Sequence, residues 1–176
     1  MTEKYGGIRV LWTGTQMYTR KGNVMKIPEF FMMRLPPFQL DGELWIKRGL
    51  HQASLQLTRT DKESVWKKAT FCIFDVHDQK SKPYEERIEF LKNFSKYSQW
   101  PSFLHVIEAI KCESREHLEK YYKEITSQKG EGVMLREPES LYEYGRSNAM
   151  KRYKEYQDTE VKVIKNMYPH GLECQQ

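Results

Sequence analysis

The run Phe71-Cys72-Ile73-Phe74-Asp75-Val76 constrains this chain more than any other segment. It is apolar at every position but one and rich in β-forming residues. It therefore reads as a buried strand, with Cys72 acting as a small hydrophobe inside it. The patterns around it mix short strands and helices without a regular βαβ alternation. The expected class is α+β rather than a doubly wound sheet.

The neighbours of that strand can be sought in the periodicity. Ile8–Trp12 and Gln16–Thr19 flank Thr13-Gly14-Thr15, a hairpin pattern. Pro28 to Met33 suggests a short helix with proline in its first turn, ended by Pro36-Pro37. Phe38 to Trp45 alternates apolar and polar side chains, with Gly42 allowing close backbone approach. Thr60-Asp61-Lys62-Glu63 has the form of a capping box before Val65-Trp66. Ile88, Leu91, Phe94 and Tyr97 recur at helical spacing after an acidic turn. Leu104 and Val106 belong to another strand. Ser114 is placed to cap a helix whose Leu118, Tyr121, Tyr122 and Ile125 face inward, with Gly130 as its terminator. Val133-Met134-Leu135 follows as a strand, and Glu160 to Ile164 alternates as the last one.

A length of 176 residues suits one core and is short for two ordinary domains. Lys and Arg number 29 against 24 Asp and Glu, a net charge of +5, which favours a polyanionic partner. Cys72, Cys112 and Cys174 lie too far apart for a disulfide framework or zinc spacing, which suits a reducing compartment. With no apolar signal core and no stretch long enough to span a bilayer, the expectation is a soluble, intracellular protein of the nucleus or cytoplasm, with no membrane partner.

Three short segments carry the chemistry. They are Glu3-Lys4-Tyr5-Gly6-Gly7-Ile8-Arg9, Leu40-Asp41-Gly42-Glu43-Leu44, and Gly130-Glu131-Gly132-Val133-Met134-Leu135-Arg136. Singly, Lys4 is an ordinary terminal lysine, and Glu43 and Glu131 are two surface glutamates among many. In this order and at this spacing the three resemble the covalent nucleotidyltransferase family: ATP-dependent DNA ligases, with RNA ligases and mRNA capping enzymes as cousins.

The resemblance implies a ligase and capping-enzyme nucleotidyltransferase fold, ATP-grasp-like, with antiparallel sheets and flanking helices. It makes Lys4 the nucleophile that attacks the α-phosphate of ATP. A lysine nucleophile reacts unprotonated. Arg9, five residues on, and Arg20, across the hairpin, are candidates to supply positive charge and to hold a phosphate. Glu43 and Glu131 are the candidate ligands of Mg2+, each following a glycine. Phe74-Asp75 resembles the family's Phe-Asp motif, whose phenylalanine stacks on the base. Phe74 is either that platform or plain core. Arg152 and Lys154 match the family's final Lys-x-Lys ahead of Asp158 and Glu160, with Lys151 as a substitute for Arg152 in another register.

One departure is plain: the family has Lys-x-Asp-Gly, and Gly6 stands at the aspartate. The expected organisation is an adenylation domain over 1–166, trimmed at its N-terminus, a tail at 167–176, and no OB-fold domain. Nicked double-stranded DNA is the expected partner, with a further polypeptide supplying an OB-fold. The expected role is nick sealing in repair or recombination. Two alternatives are a degenerate nucleotide- or nucleic-acid-binding paralogue without catalysis, and an RNA ligase or guanylyltransferase.

Overall fold

A computed structural model describes residues 1–145 and 147–154. The buried run forms β5 (Thr70–Val76), and its neighbours are those the periodicity suggested. β2 (Ile8–Trp12) and β3 (Met17–Thr19) make the hairpin, β4 (Leu40–Trp45) lies between β2 and β5, and β6 (Leu104–Val106) closes the other edge. The order is β3-β2-β4-β5-β6. A second sheet, β1-β7-β8, joins Thr2–Glu3, Val133–Arg136 and Met150–Tyr153, all antiparallel.

One face of the large sheet is the core. Val10 and Trp12, Leu40 and Leu44, and Phe71, Ile73 and Val76 alternate onto it, and each is buried. Phe31 of α1 (Glu29–Met32) and Trp66 of α3 (Glu63–Trp66) share the cluster. So do Ile88 and Leu91 of α4 (Tyr84–Tyr97). Burying side chains of this size stabilises the fold by roughly 1.5–3 kcal/mol each. A short helix α2 (His51–Leu55) follows β4. The small sheet has its own cluster, in which Met1, Leu118 and Val133 meet beneath α5 (Arg115–Ser127).

The other face of the large sheet carries the alternate residues Arg9, Leu11, Asp41 and Glu43. It is turned toward the small sheet, because Arg136 of β7 reaches Asp75 of β5. A register shift opposite Asp41 and Gly42 leaves Phe74 unpaired, so Phe74 and Asp75 stand side by side on this face. Gly42 has no room for a side chain: a Cβ there would lie 2.5 Å from the Phe71 ring.

Several expectations need correction. The large sheet is mixed rather than antiparallel, because β5 and β6 run parallel, joined by the crossover through α4. Thr60 does not cap α3 through a capping box. Its hydroxyl accepts from the Lys62 N–H, and the helix starts one residue later without a side-chain cap. Tyr97 is 85% exposed, since α4 overruns the sheet at its last turn. The left-handed residue after α5 is Lys129, at φ 65°, rather than Gly130. Ser114 does cap α5, accepting from the His117 N–H at 3.1 Å. β1 and β8 were not anticipated as strands. The expected strand at 160–164, the boundary at 166 and the tail lie outside the described residues. Among the described residues no helix is long and apolar enough to cross a membrane.

Candidate active site

Lys4 stands just beyond β1, and its N–H donates to the Gly132 carbonyl at 2.9 Å. That bond ties the start of the chain to the entry of β7. The Lys4 ammonium meets the Glu131 carboxylate, an ion pair across 127 residues of sequence. Both side chains remain partly open to solvent, at 21% and 41%. They line a cavity of about 210 Å³ together with Gly6.

Glu43 projects from the middle of β4, directly across from Arg9. Its carboxylate accepts from the Gly7 N–H at 3.1 Å. Gly7 leaves room for that approach, since a Cβ there would sit 2.9 Å from the Glu43 Cγ. Burial pushes the Glu43 carboxyl up to about 7. The Gly7 N–H, Lys4 and Arg9 pull it down, and Glu131 pushes it up further. Glu43 and Glu131 thus repel one another across Lys4.

Arg9 forms a fork with Asp41, Nε to Oδ1 at 3.1 Å and Nη2 to Oδ2 at 2.7 Å, and this hydrogen bonding raises its pKa. The Tyr142 hydroxyl donates to the same Asp41 Oδ2 at 3.0 Å. So anchored, the Arg9 guanidinium lies 5.5 Å from the centre of the Phe74 ring. Phe74 is half-buried and stands outside the large core cluster. Beside it, Asp75 is fully buried and accepts from Arg87 at 2.7 and 3.1 Å and from Arg136 at 2.6 Å. The Arg136 guanidinium also lies 4.3 Å from the centre of the Tyr84 ring.

The sequence candidates do not all converge. Lys4, Glu43, Arg9 and Glu131 share one electrostatic neighbourhood, and Phe74 lies against Arg9. Arg152 lies on β8 and Lys154 directly follows its end. Across from Arg152 is Met134, on the β7 face that also holds Arg136. Lys154 packs beside Gly132, the residue that holds the Lys4 backbone. Lys151 takes the opposite side, paired with Leu135 of the small core. Arg20 is exposed just past β3, with no ion-pair partner among the described residues.

Sequence reasoning missed Asp41, Tyr142 and the Asp75-Arg87-Arg136 cluster. A lone carboxylate inside the apolar run of β5 was the available signal, because a buried charge requires a cation. Among the described residues no group of three or more His, Cys, Asp or Glu forms a ready metal cage. Glu131 lines the Lys4 cavity and Glu43 does not, so the two candidate carboxylates do not close on one cavity.

The family model described as the ATP dependent DNA ligase domain matches residues 4–154. The chain belongs to the ATP-dependent DNA ligase family. It is 30% identical over 164 residues to a DNA ligase of Haemophilus influenzae, covering 93% of this chain. It spans 60% of that relative's length. Among solved structures it is similar to a Lig E DNA ligase, at 28% identity and a TM-score of 0.82, over 98% of this chain and 74% of the other. The Chlorella virus DNA ligase-adenylate shares the fold, at 24% identity and a TM-score of 0.74, over 93% of this chain and 65% of the other. The mixed sheets with flanking helices are thus the nucleotidyltransferase-domain fold of the ATP-dependent ligases.

Proposed function

We propose that this ligase-family domain forms lysyl-AMP on Lys4 and uses it to seal nicks in double-stranded DNA. The observation that carries the proposal is the meeting of Lys4 with Glu131, 127 residues apart in sequence, with Glu43 in the same electrostatic neighbourhood. The unprotonated Lys4 Nζ attacks the α-phosphorus of ATP. A P–N bond forms, the bond to the bridging oxygen breaks, and pyrophosphate leaves. A 5′-phosphate oxygen of the nick then attacks the same phosphorus, returning the amine. Attack by the adjacent 3′-hydroxyl closes the phosphodiester and expels AMP.

Phe74 offers a ring face for the adenine. Arg9, Arg152 and Lys154 supply charge for the phosphates, and Arg20 reaches the ligand or the DNA from the rim. Mg2+, when bound, neutralises charge on the triphosphate, and Glu43 and Glu131 are the side chains to hold it. Gly6, in place of the family's aspartate, favours one competing proposal: nucleotide or nucleic-acid binding without catalysis.

Incubation with ATP and Mg2+ followed by peptide mass spectrometry separates the two. AMP on Lys4, absent in Lys4→Ala, supports the first. Bound ATP without an adduct supports the second, and AMP on another lysine with Lys4 clean overturns the assignment of the nucleophile. Substituting GTP tests the guanylyltransferase alternative, and nicked duplexes of DNA and RNA test the sealing step.

A further inference from the structure

We infer that Tyr142 is a positioning residue for Arg9, acting through Asp41. The inference deepens the functional proposal and rests on Arg9 as a group that meets the nucleotide. Asp41 is buried on β4. A carboxylate so enclosed must be satisfied by donors of the protein. Arg9 supplies two, Nε to Oδ1 and Nη2 to Oδ2. The third is the Tyr142 hydroxyl on Oδ2, from 101 residues further along the chain. Oδ2 is thus held between a phenol and a guanidinium, and the phenol limits how the carboxylate can turn toward Arg9. The Arg9 side chain is still 31% exposed beside the Phe74 ring. Holding so long a side chain in one place costs rotamer freedom, so its position depends on how firmly Asp41 is held.

Tyr142 is itself fixed. Residues 137–144 follow β7 and are tied to the start of α4 and the turn before it. The Glu85 N–H donates to the Pro138 carbonyl at 3.0 Å, and the Tyr142 N–H donates to the Lys80 carbonyl at 3.3 Å. Buried Arg87 donates to the Ser140 carbonyl at 3.0 Å. The Tyr142 ring meets His77 edge-on, with centroids 5.2 Å apart. Burial pushes the Tyr142 phenol up, and the Asp41 carboxylate adds to the rise, so the hydroxyl stays protonated as a donor. Tyr144 provides the contrast. Its hydroxyl is hydrogen-bonded to His77 Nε2, which holds the same segment by a different route.

Proton–nitrogen NMR spectra of the arginine side chains test this on the whole chain without nucleotide. The Arg9 Nε–H signal is identified by its loss in Arg9→Lys. In Tyr142→Phe, exchange of that proton with water should speed about three- to tenfold, the worth of one hydrogen bond. Tyr144→Phe should leave it at the native rate. A native rate in Tyr142→Phe, or an equal acceleration in Tyr144→Phe, overturns the inference. Loss of the native backbone spectrum in Tyr142→Phe overturns it too, because the hydroxyl would then serve the fold. ATP affinity by calorimetry is the second arm. Tyr142→Phe should weaken it about two- to fivefold, and the loss should vanish in an Arg9→Gln background. An equal loss with and without Arg9 would show that Tyr142 acts on its own, and overturns the route through Asp41. If the native chain binds no ATP, the functional proposal fails, while proton exchange at Arg9 still decides the role of Tyr142.

Discussion

Two ionic clusters span the gap between the sheets, built from the same kinds of residue and finished differently. Around Asp75, every partner is enclosed: Asp75 and Arg87 are 0% exposed, and the Arg136 side chain is 15% exposed. The Arg87 guanidinium also donates to the Lys82 and Ser140 carbonyls, and Asp75 accepts from the Val76 N–H. Around Lys4 the pairing is partial and solvent reaches both charges. A saturated cluster has nothing left to offer a ligand and works as a clamp. An unsaturated one keeps its donors and acceptors available. The clamp fixes β7 against β5 through Arg136 and so sets where Glu131 stands relative to Glu43.

The sharpest way to break this contrast is to remove one partner from each cluster. Arg87→Met takes one of two cations from the buried Asp75 and a donor from the Lys82 and Ser140 carbonyls, and it should cost about 3–5 kcal/mol of stability, read from urea unfolding. Lys4→Ala should abolish the AMP adduct while shifting stability by no more than about 1 kcal/mol. Comparable losses of stability from the two would mean that the clusters do not differ in kind.

Arg136 lies between these extremes. Arg136→Gln keeps the length of the side chain but weakens the tie to Asp75, and it should cost about 1–3 kcal/mol. Lysyl-AMP formation should fall with it at temperatures where the variant remains folded. Full activity there would show that the clamp does not position Glu131.

Glu43 sharpens the comparison through pH. Its carboxyl is raised to about 7 in the folded chain from an ordinary value near 4.5. The neutral form is therefore favoured by folding. Its contribution is complete below about 4.5 and is lost as pH rises through about 7. Glu43→Gln should remove this loss, and between those limits the native chain should lose about 1–3 kcal/mol more than the variant. Thermal melts across that range would show parallel curves if Glu43 were not the group responsible.

The smallest expected effect lies outside both clusters. Exposed Arg20 faces only solvent in the described structure, so Arg20→Ala should leave stability within about 0.5 kcal/mol. If it contacts a DNA phosphate, the slope of log affinity against log salt should shrink by about 1. An unchanged slope removes Arg20 from the DNA surface.

Local signals in the sequence carried far. The apolar run of β5, the hairpin around Thr13-Gly14-Thr15 and the Ser114 cap need only neighbouring residues, and they stand where the periodicity put them. The three motif segments singled out in the sequence also come together, since Lys4 pairs with Glu131 and both act on the Glu43 carboxyl. What stayed hidden depends on distant partners. A two-residue strand such as β1 has no pattern of its own and exists because Thr2 lies opposite Met134. The parallel pairing of β6 follows from a crossover that alternation cannot reveal. The carboxylate of Asp75 announced a need for a cation, yet nothing in the sequence chose Arg87 and Arg136 over the other basic residues.

The pairing of Thr2 with Met134 also orders events in the life of the chain. The hairpin, β4 and β5 can assemble as they are made, since their partners are near in sequence. β1, just ahead of Lys4, waits until residues 131–136 have been synthesised, and the loop it closes spans most of the described chain. A growing chain can therefore form its large core before Lys4 meets Glu131. A product truncated before residue 131 would keep the residues of β2 to β5 and lack the Glu131 partner of Lys4.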